Sequence, residues 1–155
     1  QHSSVDLILQ PTAAGRPKPM KAGDIELFDS MIQRCAPYHA RALGVPVALA
    51  DQTGLINTEL PGGFGEFHST FPGYSQIVDS DGVVKARMKD EEGVIVTEVV
   101  LSPERKHSRR PRCYGGMWSF PMPWFAYIWP ESQKMGEKDY LENPRRRQAA
   151  ARATK

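Results

Sequence analysis

Apolar residues in the first hundred positions come in short runs separated by one clear helical stripe. Val5-Asp-Leu-Ile-Leu-Gln10 is such a run, closed by Pro11, and it predicts a strand buried on both faces, as in parallel or mixed α/β sheets. Residues 11–23 (PTAAGRPKPMKAG) are Pro, Gly and small residues and predict a loop. From Asp24 the period changes. Ile25, Leu27, Phe28, Met31, Ile32 and Cys35 recur at helical spacing, Asp24 is placed to cap the first turn, and Asp24, Glu26 and Asp29 stand near the positive end of the helix dipole. The helix is expected to reach Leu43 and stop at Gly44. Pro37 lies inside the stripe and lacks a backbone donor, so a kink or a break is expected there. Val45–Ala50 (VPVALA) predicts a second buried strand, with Pro46 tolerable near its start or at an edge.

Residues 51–73 contain five glycines and no periodicity, which predicts a long loop, a type of segment that is usually functional or disordered. Tyr74–Asp79 and Val83–Met88 flank Ser80-Asp81-Gly82, and Asp-Gly between β-rich runs is a strong hairpin signal. A fifth strand is expected over Gly93–Leu101. The order β, α, β, hairpin, β is an α/β pattern whose first two strands are parallel through a crossover helix. Beyond Ser102 only Arg145–Ala153 looks helical, through its Ala and Arg content.

Composition divides the chain in two. Residues 1–103 hold 8 basic and 13 acidic side chains, and residues 104–155 hold 12 and 5, so the near-neutral total of +2 hides a basic tail. Leu, Ile, Val and Phe number 28 in the first stretch and 4 in the second, so the first can build a core and the second must lean on something else. Two organisational units are therefore expected, a folded 1–103 and a largely irregular docking tail over 104–155. Met117–Pro130 is apolar but holds three prolines and is too short for a membrane span of about 20 residues. Two cysteines make neither a disulfide framework nor a four-ligand zinc site, and a reducing, cytoplasmic setting is the expectation. No metal and no cofactor is expected.

Several clusters bear on chemistry. Cys35 and His39 share a helix face at a spacing that suits two ligands or a thiol with its base, but nothing completes the site, and a plain core cysteine is the better reading. The glycines of LPGGFGEF lack the Lys-Ser/Thr of a phosphate cradle and read as irregular loop. Asp90, Glu91 and Glu92 precede a strand and read as a solvated turn. Eight aromatics between Tyr114 and Tyr140 lie amid prolines and basic residues. They could stack on nucleic acid, but their interleaving with Pro favours packing against protein. No nucleic-acid or membrane partner is expected.

Four stretches carry a resemblance: DLILQPTAAG, YHARALGVPVALADQTG, FPGYSQIVDSDG and EEGVIVTEVVLSP. In order and spacing they resemble the carbon-nitrogen hydrolase, or nitrilase, superfamily over about residues 3–103. Two departures stand out: Asp51 occupies the place where that family commonly has Asn, with Gly54 kept, and Pro37 interrupts the long helix. The resemblance implies a four-layer αββα sandwich in which a Cys attacks an amide or nitrile carbon, a Glu is general base, and a Lys stabilises developing charge. In that family all three groups lie upstream of the strand matching Val5–Gln10. Neither Cys35 nor Cys113 matches the nucleophile, and no catalytic residue is assigned. The resemblance leaves pocket walls to this chain: Pro11, Thr12 and Ala13 after the first strand, and Asp51, Gln52 and Gly54 after the second. Carboxyl ends of strands are where open α/β sheets bind ligands. The function implied is the C-terminal half of a hydrolase of non-peptide amides or nitriles, partnered by its upstream half and homo-oligomeric. The alternative is a non-catalytic interaction or scaffold domain of the same fold.

Overall fold

The computed structural model describes residues 5–59, 65–107 and 124–145, together with Gln148 and Arg152. The elements in chain order are β1 (Ile8–Thr12), β2 (Arg16–Pro17), α1 (Ala22–Leu43), β3 (Val47–Asp51), β4 (Thr53–Glu59), β5 (Glu66–Pro72), β6 (Gln76–Val78), β7 (Val84–Arg87) and α2 (Trp124–Glu142), with a 3-10 turn at Pro103–Arg105. They form two sheets. One is mixed, in the order β1-β3-β6-β7, with β1 and β3 parallel and the other pairs antiparallel. The second is antiparallel, in the order β2-β5-β4.

α1 crosses between β1 and β3 and covers one face of the mixed sheet. Its buried residues, Phe28, Ile32, Ala36, Pro37 and Ala40, repeat every three to four positions and so form one stripe. Ala36 and Ala40 let the helix approach Val47, Leu49 and Val78 of the sheet closely, with Ile8, Cys35 and Val84 at the rim of this core. The helix begins at Ala22 after Lys21, which makes no side-chain cap bond, so Asp24 is a first-turn acid rather than the cap. It ends as expected at Gly44, whose φ of 67° is the left-handed conformation that glycine tolerates and whose N–H donates to Ala40 O at 2.7 Å.

Pro37 neither breaks nor ends α1. A proline at this position leaves the carbonyl of Gln33 without its helical partner, and Gln76 Nε2 and Arg87 Nη2 each donate to that oxygen at 3.3 Å. Gln76 Nε2 also reaches Ile32 O, and its Oε1 accepts from Arg87 Nη2 at 2.8 Å. Gln76 is wholly buried, so strand β6 supplies the hydrogen bond that the helix lacks.

Three further expectations are corrected. β1 is buried on one face only: Leu9 is 71% exposed, and Pro11 is tolerated because β1 is an edge strand. The glycine-rich 51–73 is not one loop but holds the hairpin β4–β5, paired from Thr53↔Pro72 to Glu59↔Glu66. Nearly every residue of β4 is exposed, which erases the alternation that would announce a strand. Gly93–Leu101 forms no ladder among the described residues, although its exposure alternates, with Ile95, Thr97 and Val99 half-buried. The tail is not wholly irregular either, since α2 runs through Pro130. The hairpin β6–β7 turns where Asp-Gly predicts, with Asp79 N–H donating to Val83 O at 2.9 Å. No described helix is long and apolar enough to cross a membrane. Most of the predicted helix over 145–153, and residues 114–123 of the aromatic stretch, lie outside the described residues.

Candidate functional site

β3 delivers Asp51 to the carboxyl end of the mixed sheet, in register with Thr12 at the end of β1. The chain turns at once into β4, and the segment before β6 folds back over this point. Gly73 N–H donates to Gln52 O at 3.1 Å and Tyr74 N–H to Lys89 O at 3.1 Å. Ser75 is tied twice to the Asp51 backbone, its Oγ accepting from Asp51 N–H at 3.0 Å and donating to Asp51 O at 3.3 Å. Gly73 and Tyr74 both have left-handed φ, 72° and 73°, and a side chain at Gly73 would strike Lys89 O. Tyr74 holds this conformation without glycine's freedom, a local strain of a kind that clusters at functional sites. Its hydroxyl donates to Asp29 Oδ2 at 3.0 Å, and Asp29 pairs with Arg16 at 3.4 Å, so β2, α1 and this segment are linked.

Beside these ties lies an open cleft of about 460 Å³, lined by the polar residues Asp51, Gln52, Thr53 and Ser75 and by the apolar residues Leu55, Ile56, Phe71 and Met88. Glu91 and Glu92 also line it, and both are exposed, as the expected solvated turn requires. Tyr74 pairs with Lys89, and this carries the acidic stretch that follows back to the sheet end. The positions of strand ends do not reveal that placement, because it depends on the β6–β7 hairpin register. Of the expected wall residues, Asp51 and Gln52 face the cavity and Gly54 sits between two lining residues with a φ of 95°. Pro11, Thr12 and Ala13 do not line it. Their neighbour Ala14 reaches the site through its backbone.

Asp51 Oδ1 accepts from Gln52 N–H at 2.9 Å and from Ala14 N–H at 3.3 Å, while Oδ2 is buried without a hydrogen-bond partner. Burial pushes the carboxyl up to about 6, and the two N–H donors offset part of that rise. At mildly acidic pH the group is a hydrogen-bond donor as well as an acceptor, which matches the donor and acceptor ends of the Asn that the resemblance leads one to expect.

The second titratable cluster is closed. Gln10 Nε2 donates to Cys35 Sγ at 3.1 Å, and His39 Nδ1 lies 3.2 Å from Gln10 Oε1 and 3.8 Å from Cys35 Sγ. Burial raises the thiol pKa, against the smaller opposing effect of Gln10, and burial lowers that of the imidazole. Both groups are held neutral, the reverse of a thiolate–imidazolium pair. The described residues contain no group of three or more His, Cys, Asp and Glu placed to hold a metal ion.

No protein-family profile and no curated protein matches the chain. Among solved structures, it is similar to a carbon-nitrogen hydrolase from Helicobacter pylori G27, at 22% identity and a TM-score of 0.55 over 63% of this chain and 33% of that one. The shared backbone is a fold-level likeness, and this chain spans about a third of the length of that structure.

Proposed function

We propose that the body of this chain, up to about residue 103, is the C-terminal portion of a carbon-nitrogen hydrolase acting on a non-peptide amide or nitrile. The observation that carries this reading is the fold shared with a carbon-nitrogen hydrolase together with a cavity at the carboxyl end of β3, built around Asp51 and Gln52. In this reading the nucleophilic Cys, the base Glu and the Lys come from an upstream half of the same domain, and the present residues bind and orient substrate. Thr53, Ser75 and Gln52 offer hydrogen bonds to a small polar group, and the Leu55, Ile56, Phe71 and Met88 wall takes an apolar remainder. The assembled protein is a soluble, cytoplasmic homo-oligomer that uses no cofactor, and its partners are its substrate and its own upstream half.

The experiment is co-expression of this chain with the upstream reading frame, assayed for ammonia release from a panel of small amides and nitriles. Turnover by the joined protein, with a raised KM in Gln52→Ala, supports the reading. A folded joined protein silent on the whole panel would favour the alternative, a scaffold that kept the fold and lost the chemistry.

A further inference from the structure

The last carbonyls of α1 have no helical donors, as at any helix end. Gly44 serves Ala40 O, and two of the remaining oxygens are served by one residue from far along the chain. His107 N–H donates to Leu43 O at 3.0 Å, and His107 Nε2 lies 2.9 Å from Arg41 O. The other ring nitrogen, Nδ1, lies 2.8 Å from Arg105 O. Both ring nitrogens therefore face carbonyl oxygens, which only accept. A neutral imidazole carries one N–H and one lone pair, so in either tautomer one nitrogen would point a lone pair at an oxygen at contact distance. The imidazolium, with two N–H donors, satisfies both. Its charge also sits at the negative end of the α1 dipole, where a protonated histidine is stabilising.

We infer that His107 is a proton-dependent cap: its imidazolium ties the Pro103–Arg105 turn to the carboxyl end of α1, and loss of one proton loosens that attachment. The contact is tight, since a side chain at Gly44 would meet Arg105 O and His107 Nδ1. The charged side chains on the elements packed around the ring are Arg41 from α1 and Glu104, Arg105 and Lys106 from the turn. The three cations are engaged elsewhere: Arg41 Nη1 with Gly82 O at 3.5 Å, Arg105 Nη1 with Ser80 Oγ at 3.4 Å, and Lys106 with Asp6. Glu104 is exposed. The carbonyl pair and the helix end thus act directly on the ring, while the cations are drawn to other partners. His107 is the last described residue of the body, so the cap sets how firmly that end is held to α1.

The test is NMR on the full 155-residue chain at about pH 5.5 and about pH 8, on either side of imidazole titration. At the lower pH the His107 ring should show two bonded N–H groups. The exchange protection of the His107 amide, corrected for intrinsic rates, should fall about two- to fivefold at the higher pH, as suits an exposed ring at a helix end. In His107→Gln, which keeps one donor and cannot titrate, that pH dependence should vanish. Equal protection at both pH values, or a fall that persists in His107→Gln, would overturn the proposal. Should the variant not fold, the native ring decides alone: a neutral His107 at the lower pH with its amide protected would also overturn it.

Discussion

Asp51 is asked for two incompatible things, to accept backbone N–H groups as a carboxylate would and to lie half-buried where charge is poorly solvated. Because its titration is raised to about 6, the native state binds more protons than the unfolded chain between about pH 4 and about 6. Stability from this group is therefore highest in acid, falls as pH rises through that window, and stays lower above it. Asp51→Asn should raise the unfolding free energy at neutral pH by on the order of 1 kcal/mol, after discounting for solvent at a half-buried site, and leave it unchanged at about pH 3. Urea unfolding at the two pH values checks this. Cys35 gives the opposite kind of test. Its thiol is held protonated by burial, so in a Cys113→Ser background it should react with a disulfide reagent at neutral pH several-fold more slowly than a free thiol. It should speed up on denaturation, and Cys35→Ala should change no turnover of the joined protein.

At the scale of elements, α1 shows what a linear pattern can and cannot carry. Its stripe, its acidic first turn and its stop at Gly44 are all local signals, and all three stand in the structure. Its continuity through Pro37 is not local: the donors that satisfy Gln33 O come from Gln76 and Arg87, more than forty positions away. Gln76→Leu should accordingly cost about 1–2 kcal/mol, because it removes a buried donor to the carbonyls of Ile32 and Gln33, leaves Gln33 O to Arg87 alone, and takes away one acceptor of Arg87. In a Pro37→Ala background the restored N–H of residue 37 can serve Gln33 O, so a double-mutant cycle should show coupling of about 1 kcal/mol. The hairpin β4–β5 was hidden for a different reason. β4 exposes both faces, and only Phe67, Ser69 and Phe71 of β5 keep a period of two, a signal outweighed by the glycines around it. The site was legible where a strand end fixes it, at Asp51 and Gln52. It was illegible at Glu91 and Glu92, which reach the cavity only through the fold-back of Tyr74 onto Lys89.

For the whole molecule, the uncovered apolar surface decides behaviour in solution. Val94 and Val96 are 87% and 86% exposed, on an extended segment with no ladder partner among the described residues, and Leu9 projects from the edge strand β1. Covering even about 400 Å² of such surface is worth on the order of 10 kcal/mol before association costs. The isolated chain should therefore self-associate at low micromolar concentration in size-exclusion chromatography with light scattering. Val94→Lys with Val96→Lys should shift it toward monomer, and co-expression with the upstream half should replace heterogeneous association by one defined oligomer. It should also release no ammonia from amides or nitriles on its own, since the described residues bring no activated thiol to the cavity.

The ribbon from Val94 to Leu101 has a further meaning in a living cell. Chaperones and proteases sort proteins by what unfolded chains display, and an exposed apolar segment with no ladder among the described residues displays just that. A body that is well packed around α1 would still be handled as unfinished work, retained or degraded until another strand closes over it. The abundance of this polypeptide would then follow the supply of that strand rather than the stability of its own core.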